Sequence, residues 1–202
     1  MAGRRLAGRV VLATHNAGKL REMQALLAPY GLDIVSAGDL GLSEPAETGT
    51  MFSENAGIKA HAAAAATGLP AIADDSGLCV AALDGAPGLF TADWCGVPRD
   101  YAAGMNRLRH ELERRGHAPS GAAAWFVSSV VVAWPEGEDR VFEGRVHGAL
   151  AFPPRGDNGF GFDPCFAPEN GDRTFGEMAA DEKKAISHRA RALGAMIAAL
   201  LA

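Results

Sequence analysis

Two adjacent carboxylates, Asp74 and Asp75, directly follow the apolar triplet Ala71-Ile72-Ala73 and precede Ser76-Gly77. Carboxylates entering a fold behind an apolar run are costly unless they bind a cation or accept hydrogen bonds. Successive side chains of a strand point to opposite faces. One of the two can therefore meet a reaction centre while the other braces the turn that is expected to follow. Taken alone, Asp-Asp-Ser-Gly is equally the sequence of an ordinary turn. Glu47, about one turn ahead of a helical segment, adds a further oxygen donor. That set suits Mg²⁺, which takes few carboxylates and completes its shell with water and phosphate.

Positive charge is distributed unevenly by type. Lysine occurs only at positions 19, 59, 183 and 184, against fifteen arginines. Lysine is a compact point charge suited to phosphate oxygens, whereas arginine is a planar fork for bidentate contacts. Lys19 closes Thr14-His15-Asn16-Ala17-Gly18-Lys19, between an expected strand and an expected helix. Free backbone N–H groups and the positive end of a helix dipole make such a joint an anion site. It is not a P-loop, because Ala13 stands at the first glycine position and Leu20 where the metal-binding hydroxyl belongs.

Two further segments carry chemistry. Gly159-Phe160-Gly161-Phe162-Asp163-Pro164 places two aromatics on a glycine-freed backbone. These residues are either plain core or a stacking platform for a nucleobase. Ser187-His188-Arg189 opens the last helical segment. A cation at a helix N-terminus is electrostatically unfavourable, so Arg189 is expected to face a dedicated partner. The other histidines, His15, His61, His110, His117 and His147, share no metal-ligand spacing.

The elements that must hold these groups follow from periodicity. Val10 to Ala13 reads as a buried strand. Leu20, Met23, Leu26 and Leu27 share a helical face that Pro29 and Gly31 end. A strand is expected over 33–37, and a helix from Met51 to Thr67 with Thr50 as N-cap. A short strand over 70–73 then delivers the aspartates into a turn. A helix over 99–115 and a hairpin of Trp125–Trp134 with Arg140–Phe152 come next. The final helix is expected over 187–201 with Ser187 as its N-cap. Strands alternate with helices early and a hairpin comes late, so a mixed sheet with flanking helices is expected.

Composition narrows the partners. A net charge of −5 argues against nucleic acid or an anionic membrane as the main partner. No run approaches the ~20 apolar residues needed to span a bilayer, and the charged N-terminus lacks the apolar stretch of a secretory leader. The three cysteines, Cys79, Cys95 and Cys165, are far apart and read as reduced core residues of a cytoplasmic protein.

The motifs in their order resemble the inosine triphosphate pyrophosphatase family, whose members hydrolyse deaminated purine nucleoside triphosphates. The resemblance runs from Val10 to about Leu193. It is carried by Thr14-His15-Asn16-x-x-Lys19-x-x-Glu22, by Glu47-Thr48-Gly49-x-x-Phe52-x-Glu54-Asn55-Ala56 with Lys59-Ala60, and by Ala73-Asp74-Asp75-Ser76-Gly77-Leu78. Gly85-Ala86-Pro87-Gly88, Gly159 to Pro164 and Ser187-His188-Arg189 complete it. Each segment is weak alone, and six in this order are highly specific.

The resemblance implies an α/β fold, an elongated two-lobed mixed β-sheet with flanking helices and an active cleft between the lobes. Residues 1–202 then form one pyrophosphatase domain, and the assembly is a homodimer. It further implies Asp75 as general base and metal site, with Glu47 and Asp74 as the other acidic positions. Lys19, Lys59 and Lys183 match phosphate-side lysines. Thr14, His15, Asn16, Ala17, Gly18 and Ser76 complete the substrate-binding set. Phe160, Gly161, Phe162, Asp163, Ser187, His188 and Arg189 match the base-recognition side. Phe162 stands where Tyr or Trp is usual, and Asp93 where many bacterial members have Arg.

The implied reaction is Mg²⁺-dependent cleavage between the α and β phosphates, with inosine, deoxyinosine and xanthosine triphosphates as substrates. Two other chemistries use the same residues. An aspartyl-phosphate phosphatase would release orthophosphate, and a nucleotide sensor would bind without turnover.

Overall fold

The computed structural model describes residues 4–201; the first three residues of the charged N-terminal segment and Ala202 lie outside it. Six strands form one sheet: β1 (Arg9–Leu12), β2 (Asp33–Ser36), β3 (Ala71–Val80), β4 (Ala123–Ala133), β5 (Asp139–Leu150) and β6 (Phe166–Pro168). Their order is β2-β1-β3-β4-β5-β6. β1 runs parallel to both β2 and β3, whereas β5 and β6 are antiparallel. Among the described residues, five α-helices accompany them: α1 (Ala17–Leu27), α2 (Phe52–Thr67), α3 (Tyr101–Arg114), α4 (Ala180–Ile186) and α5 (His188–Leu200). The mixed α/β class expected from the alternation of elements is the class observed.

The chain divides into two compact units. One comprises Met1–Asp75, Ser128–Gly144 and Arg189–Ala202, and the other comprises Ser76–Val127 and Arg145–His188. In the first unit, strand alternation sorts side chains onto two faces. Val10, Leu12, Ile72, Val130 and Val132 pack with Met23 and Leu27 of α1 and with Leu193, Met196 and Leu200 of α5. Val11, Ala13, Ala71, Ala73, Val131 and Ala133 pack with Ala56, Ala60, Ala63 and Ala64 of α2. This second face is built almost wholly from alanine and valine, so α2 can lie close upon the sheet.

The second unit has its own core. Leu108 and Leu112 of α3 pack with Leu78, Val80, Phe126, Phe166 and Phe175. Phe126 meets Phe166 edge-on at 4.9 Å between centroids, a favoured aromatic geometry.

Local chemistry sets the boundaries. Asn16 caps α1 by accepting from the backbone N–H groups of Gly18 and Lys19 at 2.9 and 3.1 Å. Gly68, left-handed at φ 67°, ends α2. Five residues separate β4 from β5, and Trp134 N donates to Glu138 O at 2.9 Å across the turn. Two expectations change. The 70–73 strand does not deliver the aspartates into a turn, because β3 continues through them to Val80. The cap of α2 is Met51, and Thr50 instead donates to Glu54. Ser187 directly precedes α5, at the position expected for its N-cap, and the short helix α4, which periodicity did not disclose, ends just before it.

Phe166 is fully buried at the centre of the second core. Phe166→Ala is expected to cost about 3–5 kcal/mol of stability, read as a lowered urea midpoint.

Candidate active site

β3 is buried along most of its length, and its two aspartates separate by alternation onto opposite faces. Asp74 turns toward α1 and α5. Its Oδ1 accepts from Ser128 Oγ, and its Oδ2 receives Arg189 Nη2 at 3.2 Å and Lys19 Nζ at 2.9 Å. Arg189, only 1% exposed, also donates through Nη1 to Glu22 of α1. Burial alone would raise the Asp74 pKa. The charges of Arg189 and Lys19 and the Ser128 hydroxyl outweigh it and hold the carboxyl well below the usual range. Burial lowers the Lys19 pKa, with Asp74 opposing and Lys59 and Arg189 adding to the depression.

Asp75 turns to the α2 face. Lys59 Nζ lies 3.5 Å from its Oδ1 and 2.6 Å from Glu47 Oε1, and Asn55 Nδ2 lies 3.4 Å from its Oδ2. Asn55 and Lys59 are four residues apart and so share a helix face. Burial raises the Asp75 pKa, and the opposing lysines Lys59 and Lys19 do not cancel this effect. Asp75 is thus a stronger base than an exposed aspartate. Lys59 moves up: burial would lower it, but Asp75 and Glu47 prevail. Gly49 lets the Glu47 loop come this close, since its N–H donates to Asn55 Oδ1 at 2.8 Å and a Cβ there would lie 2.6 Å from Glu54.

The donor set fits a hard divalent ion. Glu47 and Asp75 converge on one ammonium, the arrangement of two carboxylates around a cation, and Mg²⁺ sites commonly use one or two carboxylates. Among the described residues no group of three or more His, Cys, Asp or Glu is placed to hold a metal. Asp74, expected as a third acidic position, has its two oxygens engaged by Ser128, Arg189 and Lys19.

The segment before and within α1 is arranged around itself. Thr14 Oγ1 accepts from Asn16 N at 3.2 Å, and the N–H groups of Gly18 and Lys19 face Asn16 Oδ1. The anion site expected from free N–H groups at Ala17 and Gly18 is therefore partly filled by the helix's own cap. His15 Nε2 lies 2.8 Å from Leu42 O. With Lys59, Leu42, Pro45 and Ala63, His15 lines a cavity of about 150 Å³ in the same unit.

A separate group lies in the second unit. Asp163, 2% exposed, accepts from Phe160 N at 2.8 Å and from Lys183 Nζ at 2.6 Å, and Lys183 Nζ sits 5.0 Å from the Phe160 ring centroid. Gly159, at φ 74°, is needed because a Cβ would strike the Asp163 carboxylate. The His188 ring stacks on Phe126 at 4.8 Å, and Ser187 is buried at the end of α4. Gly161 and Ser76 are half-buried.

Three members of the expected set have defined surroundings. Lys183 joins Phe160 and Asp163 within the second unit. Phe162, 2% exposed, is packed in the second core, its ring against the Gly104 backbone, and presents no open stacking face. Arg189 has the dedicated partner inferred from charge, and that partner is Asp74 with Glu22. Ser128 and Asn55 went unassigned by sequence reasoning. A pair of serines inside the valine-rich run 125–134 was the available signal for the first.

The Ham1 family model matches residues 10–199. A protein from Bradyrhizobium sp. named dITP/XTP pyrophosphatase is 55% identical, covering 94% of this chain and 92% of the relative. One of the same name from Rhodopseudomonas palustris is 54% identical, covering 94% of each. Among solved structures, a HAM1 protein from Coxiella burnetii superposes with TM-score 0.85 at 36% identity, covering 95% of this chain and 96% of that one. A nucleoside-triphosphatase / dITP/XTP pyrophosphatase from Mycobacterium abscessus gives TM-score 0.72 at 41% identity, with coverage of 94% and 98%.

Removing one member of a buried ion pair strands the other. Asp74→Asn is therefore expected to lose about 3–5 kcal/mol in urea unfolding at neutral pH. The Asp74 pKa is depressed in the fold, so its stabilisation is present above the unfolded value near about 4 and is lost on acidification below it. The gap between wild type and Asp74→Asn should accordingly shrink below about pH 4.

Proposed function

The chain belongs to the Ham1 family, and from that premise we propose that it hydrolyses deaminated purine nucleoside triphosphates (ITP, dITP and XTP) to the monophosphate and pyrophosphate. The relatives named dITP/XTP pyrophosphatase support this substrate class. The observation that carries the reading is the convergence of Glu47 and Asp75 on the Lys59 ammonium beside a second, fully buried aspartate. A sensor needs no such costly carboxylate pair.

Asp75 accepts the proton of the attacking water, its basicity raised by burial toward the working pH. Lys59 and Lys19 supply positive charge to phosphate oxygens. Glu47 and Asp75 would hold Mg²⁺, which would supply charge neutralisation for the leaving pyrophosphate. Asp74 fixes Lys19 through its ion pair and so orients one of the two cations. An aspartate remains a weak base, so positioning and charge neutralisation supply most of the acceleration. No covalent intermediate is required.

In the second unit, Phe160, Asp163, Lys183, Ser187 and His188 form the group assigned to the base. Deamination replaces the 6-amino donor of adenine with a 6-oxo acceptor. A site that donates to that oxygen can discriminate by ~10⁴-fold. The Arg189 fork is engaged by Asp74 and Glu22, so its replacement is expected to affect stability and turnover more than base choice. A C2 homodimer acting in the cytoplasm belongs to the same reading, and no helix among the described residues is long and apolar enough to cross a membrane.

The test is a panel of ITP, XTP, dITP, GTP and ATP with separate detection of pyrophosphate and orthophosphate. Pyrophosphate as first product, abolished by EDTA and restored by Mg²⁺, with ITP and XTP far above ATP in kcat/KM, is the expected result. Orthophosphate as first product, or turnover that survives metal removal, would overturn the mechanism. Sedimentation at micromolar concentration is expected to give twice the chain mass.

A further inference from the structure

Ser129 is 1% exposed, and its Oγ has no hydrogen-bond partner in the fold. A buried hydroxyl without a partner forfeits its hydration without return, and such exceptions call for an explanation. Its place on the sheet supplies one. β3 and β4 are neighbours. Ile72, Val130 and Val132 lie on the α1/α5 face, and the contact between Ser128 and Asp74 belongs to the same parity. Ala71, Ala73, Val131 and Ala133 lie on the α2 face, where Asp75 reaches Asn55 and Lys59. Alternation places Ser129 on that second face. Its neighbour Ser128 contacts Asp74, the neighbour of Asp75, so Ser129 lies on the Asp75 face within a residue or two of it along the sheet.

The rest of that face is alanine and valine, so alanine at position 129 would continue the pattern. Asp75, Asn55 and Lys59 are polar side chains gathered on that face. Ala56, Ala60 and Ala73, all with small side chains, belong to the same packed face. A buried water requires two to four polar partners, and Ser129 Oγ, the Asp75 carboxylate and the Asn55 amide supply that number.

We propose that Ser129 is a positioning residue for Asp75: its hydroxyl holds a buried water that donates to the Asp75 carboxylate from the sheet side, opposite Lys59. The proposal rests on the reading of Asp75 as the base. Groups that orient a catalytic or metal-binding carboxylate from behind typically matter by ten- to a hundredfold.

The experiment compares Ser129→Ala and Ser129→Thr with wild type, in crystals and in ITP hydrolysis. Expected in wild type is an ordered water within hydrogen-bonding reach of Ser129 Oγ and Asp75, lost in Ser129→Ala. Expected kinetically is a fall in kcat of about tenfold in Ser129→Ala with KM for ITP little changed, and near-normal kcat in Ser129→Thr, which keeps the hydroxyl. Thermal melting should show both variants folded. Wild-type kcat in Ser129→Ala, equal losses in both variants, or no bridging water in wild-type crystals would each overturn the proposal. If wild type released no pyrophosphate, the functional reading would fail, while the crystallographic water would still test the positioning contact.

Discussion

Asp74 has none of its side chain exposed and remains ionised because two cations and a hydroxyl close around it. Such a carboxylate is strongly unfavourable without its partners and strongly constraining with them. Its contacts draw β4 through Ser128, α1 through Lys19, and the start of α5 through Arg189, to one point on β3. Arg189 carries the constraint back to α1 through Glu22. Residues far apart in sequence are thereby fixed around one buried carboxylate.

The consequence for chemistry is a division of labour one residue wide. Alternation along β3 sends Asp75 to the opposite face, where the close-packed alanines of α2 bring Lys59 and Asn55 within reach. Asp74 spends its charge on the fold and sits low in pKa; Asp75 is left under-compensated and sits high. Two identical side chains acquire different proton affinities because one has two close cations and a hydroxyl while the other has a longer, shared contact with Lys59. Functional sites often carry such locally unfavourable groups, offset by stability elsewhere.

Much of this was legible from residue type and spacing. The order of the six motifs pointed to the family, hydrophobic periodicity gave α1, α3 and the β4–β5 hairpin, and cap and stop residues gave α2. Local signals failed where tertiary contacts decide. Asp74-Asp75-Ser76-Gly77 has turn composition, yet neighbouring strands and buried cations make it strand. α4 is short and charged, with no apolar stripe to announce it. Arg189 was rightly given a dedicated partner, but the partner's identity depended on a contact 115 residues away in sequence. Phe162 in a glycine-rich loop could be core or platform, and only packing against Cys95 and Gly104 assigns it to the core.

The most direct test of this division of labour is Asp75→Asn, measured for kcat and for unfolding free energy on the same preparation. Because burial disfavours the Asp75 charge in the fold, neutralising it should leave stability equal to wild type or higher. The account predicts this together with a loss in kcat of roughly 10²-fold or more. A variant that turns over ITP at near wild-type kcat, or one that loses its activity only by unfolding, would contradict it.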